Sequence, residues 1–320
     1  MTRLRAVFLG TPEFAVPSLE ALVRETDVVA VITQPDRPKG RGRRLSPPPV
    51  AAAAAALGLR VLQPPRLRTP EVVATLRGLA PDVHVTVAYG KLIPRDVLEI
   101  PPLGSINLHP SLLPKYRGAS PIASAILNGD TETGVSIMYQ SMELDAGDLI
   151  LQRRVAIAPD DTARTLEARL ARAGADALLD ALRLIAAGTA PRLPQDHAAA
   201  TFTTKLEKEH GRIDWTRPAD ELVNLVRAMD PWPSAYTTHR GRLLKVWKAA
   251  VAEDVRPADP GTVLEVRPGG GVVVATGRGA LRLLDVQPED KRRMSADDYA
   301  RGARLTPGER LVGPARRRML

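Results

Sequence analysis

Short β-branched runs alternate with amphipathic stretches through the first half of the chain, and this alternation restricts the fold more than any single residue does. Arg5–Gly10 is an apolar run that ends in Gly-Thr-Pro. Pro12 then opens a helical stretch, Phe14–Arg24, with Val16, Leu19, Leu22 and Val23 on one side. Val28–Thr33 is a continuous β-branched run of the kind found in buried parallel strands. Further along, helices are expected at 51–57, 71–79 and 120–128, and strands at 60–63, 83–88, 105–108 and 134–139. The order strand, helix, strand, helix predicts an α/β domain built on a doubly wound sheet.

The character changes after a long Ala/Leu/Arg helix at 163–187. A stretch rich in Pro, Thr and Ala follows and reads as a linker. One helix (220–229) and five short strands (235–238, 243–249, 261–266, 271–276 and 280–286) come next. Pro268-Gly-Gly-Gly271 between two of them is a hairpin signal. Five short strands in about a hundred residues suggest a small barrel, of the kind that includes oligonucleotide-binding folds. The expected organisation is a catalytic domain at 1–189, a linker at 190–206, a β-barrel domain at 207–314 and a basic tail at 315–320.

Composition excludes some chemistries. With no cysteine in 320 residues, disulfides, thiolate nucleophiles and cysteine-ligated metal are ruled out. No apolar run approaches a membrane span, and the basic start stops being apolar too soon for a signal peptide. A soluble cytoplasmic protein is expected, monomeric and without a metal. The net charge of +9 is unevenly placed. Residues 34–46 carry Arg37, Lys39, Arg41, Arg43 and Arg44 against Asp36, a net of +4. Residues 206–320 carry 21 basic against 16 acidic side chains, so the remaining body is neutral. A neutral body with a basic loop and a basic C-terminal third suits a polyanionic partner. Arginine outnumbers lysine 37 to 8, a skew that genome composition alone can produce.

The densest group of chemically capable residues is Asn107-Leu-His-Pro-Ser-Leu-Leu-Pro-Lys-Tyr-Arg-Gly118. Asn107 and His109 are two apart at the end of a strand, so both face one side. The carboxyl edge of an open α/β sheet is where ligands bind. An amide and a protonated imidazole are donors that stabilise an oxyanion on a carbonyl under attack. Glu143-Leu-Asp-Ala-Gly-Asp148 follows the next strand and is expected at the same edge. One carboxylate there, Asp145 or Asp148, would face His109, raise its pKa and hold the ring in its donor form. Tyr89-Gly-Lys-Leu-Ile-Pro94 after the 83–88 strand can wall a flat pocket. Taken singly, each of these is also an ordinary turn. The 34–46 loop is not a nucleotide-binding Walker loop, and Gly10-Thr-Pro-Glu makes no dinucleotide fingerprint.

Together these segments resemble the methionyl-tRNA formyltransferase family. The resemblance rests on Phe8-Leu-Gly-Thr-Pro-Glu-Phe-Ala-Val-Pro17, Gln34–Arg43, Val87-Ala-Tyr-Gly90, Asn107-Leu-His109, Ser111–Pro114, Tyr116–Pro121 and Leu144–Asp148. In the C-terminal part it rests on Arg212-Ile-Asp-Trp215, Pro231-Trp-Pro233 and Lys245-Val-Trp-Lys248. Pro110 stands where some members have Gly. The resemblance implies a Rossmann-like catalytic domain and a barrel similar to oligonucleotide-binding folds. It implies transfer of the formyl group of 10-formyltetrahydrofolate, as cosubstrate, to the amino group of methionyl initiator tRNA. Asn107, His109 and Asp145 then fall on catalytic positions. Tyr89, Gly90, Ile93, Ser111, Leu112, Leu113 and Pro114 fall on the folate side. Arg37, Lys39, Arg41, Arg43, Arg44, Lys205, Lys208, Lys245 and Lys248 are the expected tRNA contacts. Alternatives are a formyltransferase acting on an amino sugar nucleotide or purine precursor, a formate-releasing hydrolase, or a non-catalytic RNA-binding protein.

Overall fold

A computed structural model of the protein describes residues 3–39, 44–253 and 258–312, with backbone alone at Lys39 and Arg44. In chain order the elements are β1 (Arg5–Gly10), α1 (Val16–Glu25), β2 (Asp27–Ile32), β3 (Arg37–Lys39), β4 (Arg44–Ser46), α2 (Pro49–Ala56), β5 (Val61–Leu62), α3 (Pro70–Gly78), β6 (Val83–Val87), α4 (Arg95–Leu98), β7 (Ser105–His109), β8 (Arg117–Gly118), α5 (Pro121–Leu127), β9 (Glu132–Tyr139), β10 (Leu149–Ala156) and α6 (Ala163–Ala186). They continue with β11 (Phe202–Thr203), α7 (Ala219–Ala228), β12 (Ala235–His239), β13 (Arg242–Ala252), β14 (Val263–Arg267), β15 (Gly271–Ala275), β16 (Ala280–Pro288), β17 (Met294–Ser295), α8 (Ala296–Ala303) and β18 (Leu311–Val312). The chain forms two units. One comprises residues up to 121, 132–156 and 167–203; the other comprises 122–131, 157–166 and the chain from 204 onward.

The first unit is a seven-stranded sheet in the order β10-β9-β7-β6-β1-β2-β5. The five strands from β5 to β7 run parallel. Every residue of β6 is buried, as expected of a strand covered on both faces. One face carries Val7, Leu9, Ala30 and Ile32 into a core with Val73, Leu76, Ile93 and Val97 from the covering segments. Each of those aliphatic side chains contributes roughly 1.5–3 kcal/mol when fully buried. Helices α1, α2 and α3 all take a proline in their first turn, where its missing N–H costs nothing.

Three features of this unit differ from the reading of the sequence. First, β9 runs antiparallel to β7, and β10, not expected as a strand, runs antiparallel to β9. Alternation along the chain locates strands without giving their direction. β10 is the edge strand, and from Leu151 onward half-buried residues alternate with exposed ones. Second, the basic loop begins and ends as a hairpin, with Arg37 opposite Ser46 and Lys39 opposite Arg44. Arg41 and Arg43 lie outside the described residues, as do the side chains of Lys39 and Arg44. Third, the segment expected as a linker at 190–206 is hydrogen-bonded into this unit up to Thr203. Leu193 exchanges backbone bonds with Leu149, and β11 pairs with β8. The Pro-, Thr- and Ala-rich composition that marked it as a linker belongs to a segment held by backbone hydrogen bonds.

The second unit holds an antiparallel sheet in the order β14-β15-β16-β13-β12-β18, with β17 on β16. The N–H of Leu311 donates to the Gly261 carbonyl, and that of Val263 to the Glu309 carbonyl. β18 also pairs with β12, so the two ends of the sheet are joined and the sheet curls on itself. Helix α8, absent from the expectation, is started by Ser295, whose hydroxyl accepts the Asp298 N–H. Basic tail residues 315–320 lie outside the described residues. Among the described residues no helix is long and apolar enough to cross a membrane.

Candidate active site

Asn107 and His109 share one face of β7, with Thr86 and Met138 beside Asn107 and Ser136 beside His109. Asn107 is the third of five strand residues, so it lies on the sheet face rather than at the edge. Its side chain is half-buried, and no described residue hydrogen-bonds to it. The amide therefore offers two N–H donors and one acceptor that the fold has not used. His109 is buried. Its Nε2 lies 2.9 Å from the Tyr116 carbonyl, which only a protonated nitrogen can satisfy. Its Nδ1 faces the Asp145 carboxylate at 3.7 Å.

The direction of β9 sets where the loop that carries Asp145 begins. Tyr139, where β9 ends, pairs with Ile106, so the strand exits beside the start of β7, not its end. The loop that follows turns back and brings Asp145 to His109, the last residue of β7. Two backbone features allow this. Asp145 adopts φ 49°, a left-handed conformation that Asp tolerates better than most residues. A Cβ at Gly147 would lie 1.8 Å from the Tyr139 carbonyl oxygen, so only glycine permits the return. Asp145 Oδ2 then accepts the Gly118 N–H at 2.8 Å.

The direction of the His109 shift differs from the expectation. Burial pushes the ring below its ordinary value of 6.5, and Arg117 adds to this; Asp145 and the Tyr116 carbonyl pull the other way and do not prevail. Nε2 is turned to the Tyr116 carbonyl and Nδ1 to the Asp145 carboxylate.

The other expected residues divide by what their atoms already do. The Tyr89 ring is buried in the core with Val7 and Leu9, and burial pushes its hydroxyl up to about 12. Its carbonyl accepts Thr11 Oγ1 and Gln34 Nε2, both at 2.9 Å. Gly90 follows at φ 78°, and Ile93 returns to the core. Ser111 Oγ donates to the Lys115 carbonyl at 2.6 Å, and the Ser111 carbonyl accepts Ser136 Oγ at 2.6 Å. Gln152 donates to the Leu113 carbonyl at 2.8 Å, Leu112 fills the space over Gly134, and Pro114 is half-buried. These residues are held in shape by internal bonds, so they can supply pocket walls more than hydrogen bonds. A cavity of about 390 Å³ opens at the 91–94 segment, lined by Arg66, Arg68, Lys91, Leu92 and Pro94. Arg37 donates to Gln34 Oε1 at 2.5 Å. Lys205, Lys208 and Lys248 are exposed in the second unit, and Lys245 Nζ lies 5.6 Å from the centre of the Trp247 ring.

The reading of the sequence assigned no role to two buried side chains here, Arg117 and Gln195. Arg117 stood inside a motif, and Gln195 inside the supposed linker. A glutamine in a Pro/Thr/Ala-rich stretch carries no local signal of burial.

The formyl transferase family profile matches residues 4–182, and the formyl transferase C-terminal domain profile matches residues 205–304. A methionyl-tRNA formyltransferase of Roseiflexus castenholzii is 53% identical over 313 residues, 97% of this chain and 99% of that protein. One from Symbiobacterium thermophilum is 50% identical over 314 residues, 97% of this chain and 96% of that protein. The chain belongs to the methionyl-tRNA formyltransferase family. As a member it is a formyl-transferring enzyme. Among solved structures, an N-formyltransferase from Helicobacter canadensis in complex with folinic acid and dTDP-3-aminofucose shares the fold, with a TM-score of 0.66 at 20% identity, covering 90% of this chain and 100% of that one. HypX from Aquifex aeolicus in complex with tetrahydrofolic acid gives 0.63 at 19% identity, covering 93% of this chain and 47% of that one.

Proposed function

We propose that this family member transfers the formyl group of 10-formyltetrahydrofolate to the α-amino group of methionyl initiator tRNA, as a cytoplasmic monomer. The observation that carries the reading is the arrangement along β7. An unspent amide at Asn107 lies on the same face as an imidazole whose Nδ1 faces the Asp145 carboxylate. This is a donor for an oxyanion next to an acceptor for a proton, which is what attack of an amine on a formyl carbon requires.

The step balances with these groups. The amine lone pair forms a bond to the formyl carbon, and the carbonyl electrons move to oxygen, where Asn107 Nδ2–H donates. Asp145 accepts the proton that the attacking nitrogen loses, with His109 Nδ1 placed to share it. The bond from carbon to the folate N10 breaks, the carbonyl re-forms, and N10 takes up a proton. The products are the formamide and tetrahydrofolate. The 89–94 and 111–114 segments are read as the folate walls. The cations beside Lys91 suit the carboxylates of a folate tail. The basic hairpin and the lysines at 205, 208, 245 and 248 are read as phosphate contacts.

The test supplies the full chain with 10-formyltetrahydrofolate and, in separate reactions, methionyl initiator tRNA, methionyl elongator tRNA, an amino sugar nucleotide and glycinamide ribonucleotide. Formylated methionine on the initiator tRNA, with far less on the other acceptors, is expected. Preferential formylation of a small amine would replace this reading with the alternative acceptor class.

A further inference from the structure

Arg117 is 4% exposed, and among the described residues it forms no ion pair with a carboxylate. A guanidinium stays charged under all ordinary conditions, so burying one without a counter-ion is costly. Its donors go instead to Gln195, itself 5% exposed. Arg117 Nη2 and Nε reach the same oxygen, Gln195 Oε1, at 2.7 and 3.2 Å. A further contact, at 3.4 Å, runs from Nη1 to His197 Nδ1.

This contact fixes which way the glutamine amide points. With the oxygen turned to a cation, the NH2 group must face the other way. There it donates to two backbone carbonyls of the loop that carries the carboxylate, Asp145 at 2.9 Å and Gly147 at 2.8 Å. The two carbonyls belong to the left-handed residue and to the glycine that let the loop turn back. Arg117 is also the residue between the Tyr116 carbonyl, which binds His109, and the Gly118 N–H, which binds Asp145. Its N–H donates to the Thr201 carbonyl at 2.8 Å, and a Cβ at Gly118 would lie 2.3 Å from the Thr203 carbonyl oxygen. One three-residue stretch and one amide thus set the positions of both His109 and Asp145.

We propose that Arg117 and Gln195 are positioning residues for formyl transfer, holding the Asp145 loop so that its carboxylate stays against His109. This rests on the reading of Asn107, His109 and Asp145 as the reaction centre. It assigns work to the 190–203 segment, whose composition is that of a connector. Neither residue touches the reacting atoms.

The test uses the full chain with Gln195→Glu, Gln195→Met and Arg117→Lys. Gln195→Glu keeps the length and the contact to Arg117 but has no N–H for the loop carbonyls. Arg117→Lys keeps the charge and loses the two-point hold on Oε1. Turnover with 10-formyltetrahydrofolate and methionyl initiator tRNA is expected to fall by about 100-fold in Gln195→Glu, with the KM for either substrate changed less than about threefold. Imidazole NMR gives a second readout that does not need turnover. Asp145 and Arg117 are the charged groups acting on the His109 ring. In Gln195→Met the released carboxylate pulls less on the ring, so the His109 titration midpoint moves further down; in Arg117→Lys it moves in the same direction by less. Thermal unfolding identifies any variant that has lost its fold, and the remaining variants then decide. Folded variants with turnover within twofold of wild type and an unmoved His109 midpoint would overturn the proposal. A wild-type chain that formylates no methionyl tRNA would refute the proposed function instead, while the midpoint still reports whether the two residues hold Asp145.

Discussion

The Asn107 amide makes no hydrogen bond to any described residue, so its removal should disturb chemistry more than folding. Asn107→Ala is expected to lower kcat by about 100- to 1,000-fold, the usual cost of losing one oxyanion donor, with little change in melting temperature. Steady-state kinetics paired with a thermal melt separates the two effects. Asp145 is different, because Oδ2 holds the Gly118 N–H as well as facing His109. Asp145→Ala should cut kcat far more than it changes folate affinity, measured by titrating folate binding to the same variant. Near-normal turnover in that variant would remove Asp145 from the proton path. For His109 the decisive quantity is desolvation. A ring kept below its ordinary value must gain a proton on unfolding at lower pH, so the first unit loses stability as pH falls below about 6.5.

Among the elements, the end of β12 shows how the second unit is tied together. His239 Nε2 donates to Glu309 at 3.0 Å, Thr306 N–H at 2.9 Å, and Arg240 reaches both carboxylate oxygens. The His239 bond first, then the Thr306 N–H and Arg240, hold the Glu309 carboxyl down to about 2. A carboxyl depressed on folding contributes stability that is complete above its unfolded value and is lost as pH falls toward the folded one. The second unit should therefore weaken between about pH 4.5 and pH 2. Urea midpoints of the wild type and Glu309→Gln, measured across that range, should converge at the acid end. A gap that stayed constant with pH would show that the cluster is not what Glu309 contributes. The hairpin of β3 and β4 is an element of another kind, small and basic, and anchored through Arg37 to Gln34 and so to the Tyr89 carbonyl.

For the whole molecule the unequal charge is what matters. The excess of +9 sits on the 34–46 hairpin and the C-terminal third, leaving the rest of the chain balanced. Cations that meet phosphates release counterions, and each such contact adds about one to the slope of log affinity against log salt. Replacing Arg41 and Arg43 by Gln should weaken tRNA binding and flatten that slope by about two, with folate binding unchanged. Filter-binding or anisotropy titrations at several salt concentrations provide the check. An unaltered slope would separate the hairpin from the phosphates.

Hydrophobic period and turn chemistry are local, and what depends on them was legible in the chain itself. The α/β order of the first unit, the five principal strands of the second, the pairing of Asn107 with His109 on one face and the family all follow from residue type and spacing. The direction of β9 is not local. It depends on which residues β9 meets on β7, and it decides that the loop to Asp145 begins beside the start of β7. The downward shift of His109 is not local either, because desolvation comes from every element that covers the ring. The same holds for Arg117 and Gln195. Seventy-eight residues separate them, and only the fold gives a buried guanidinium an amide oxygen to hold.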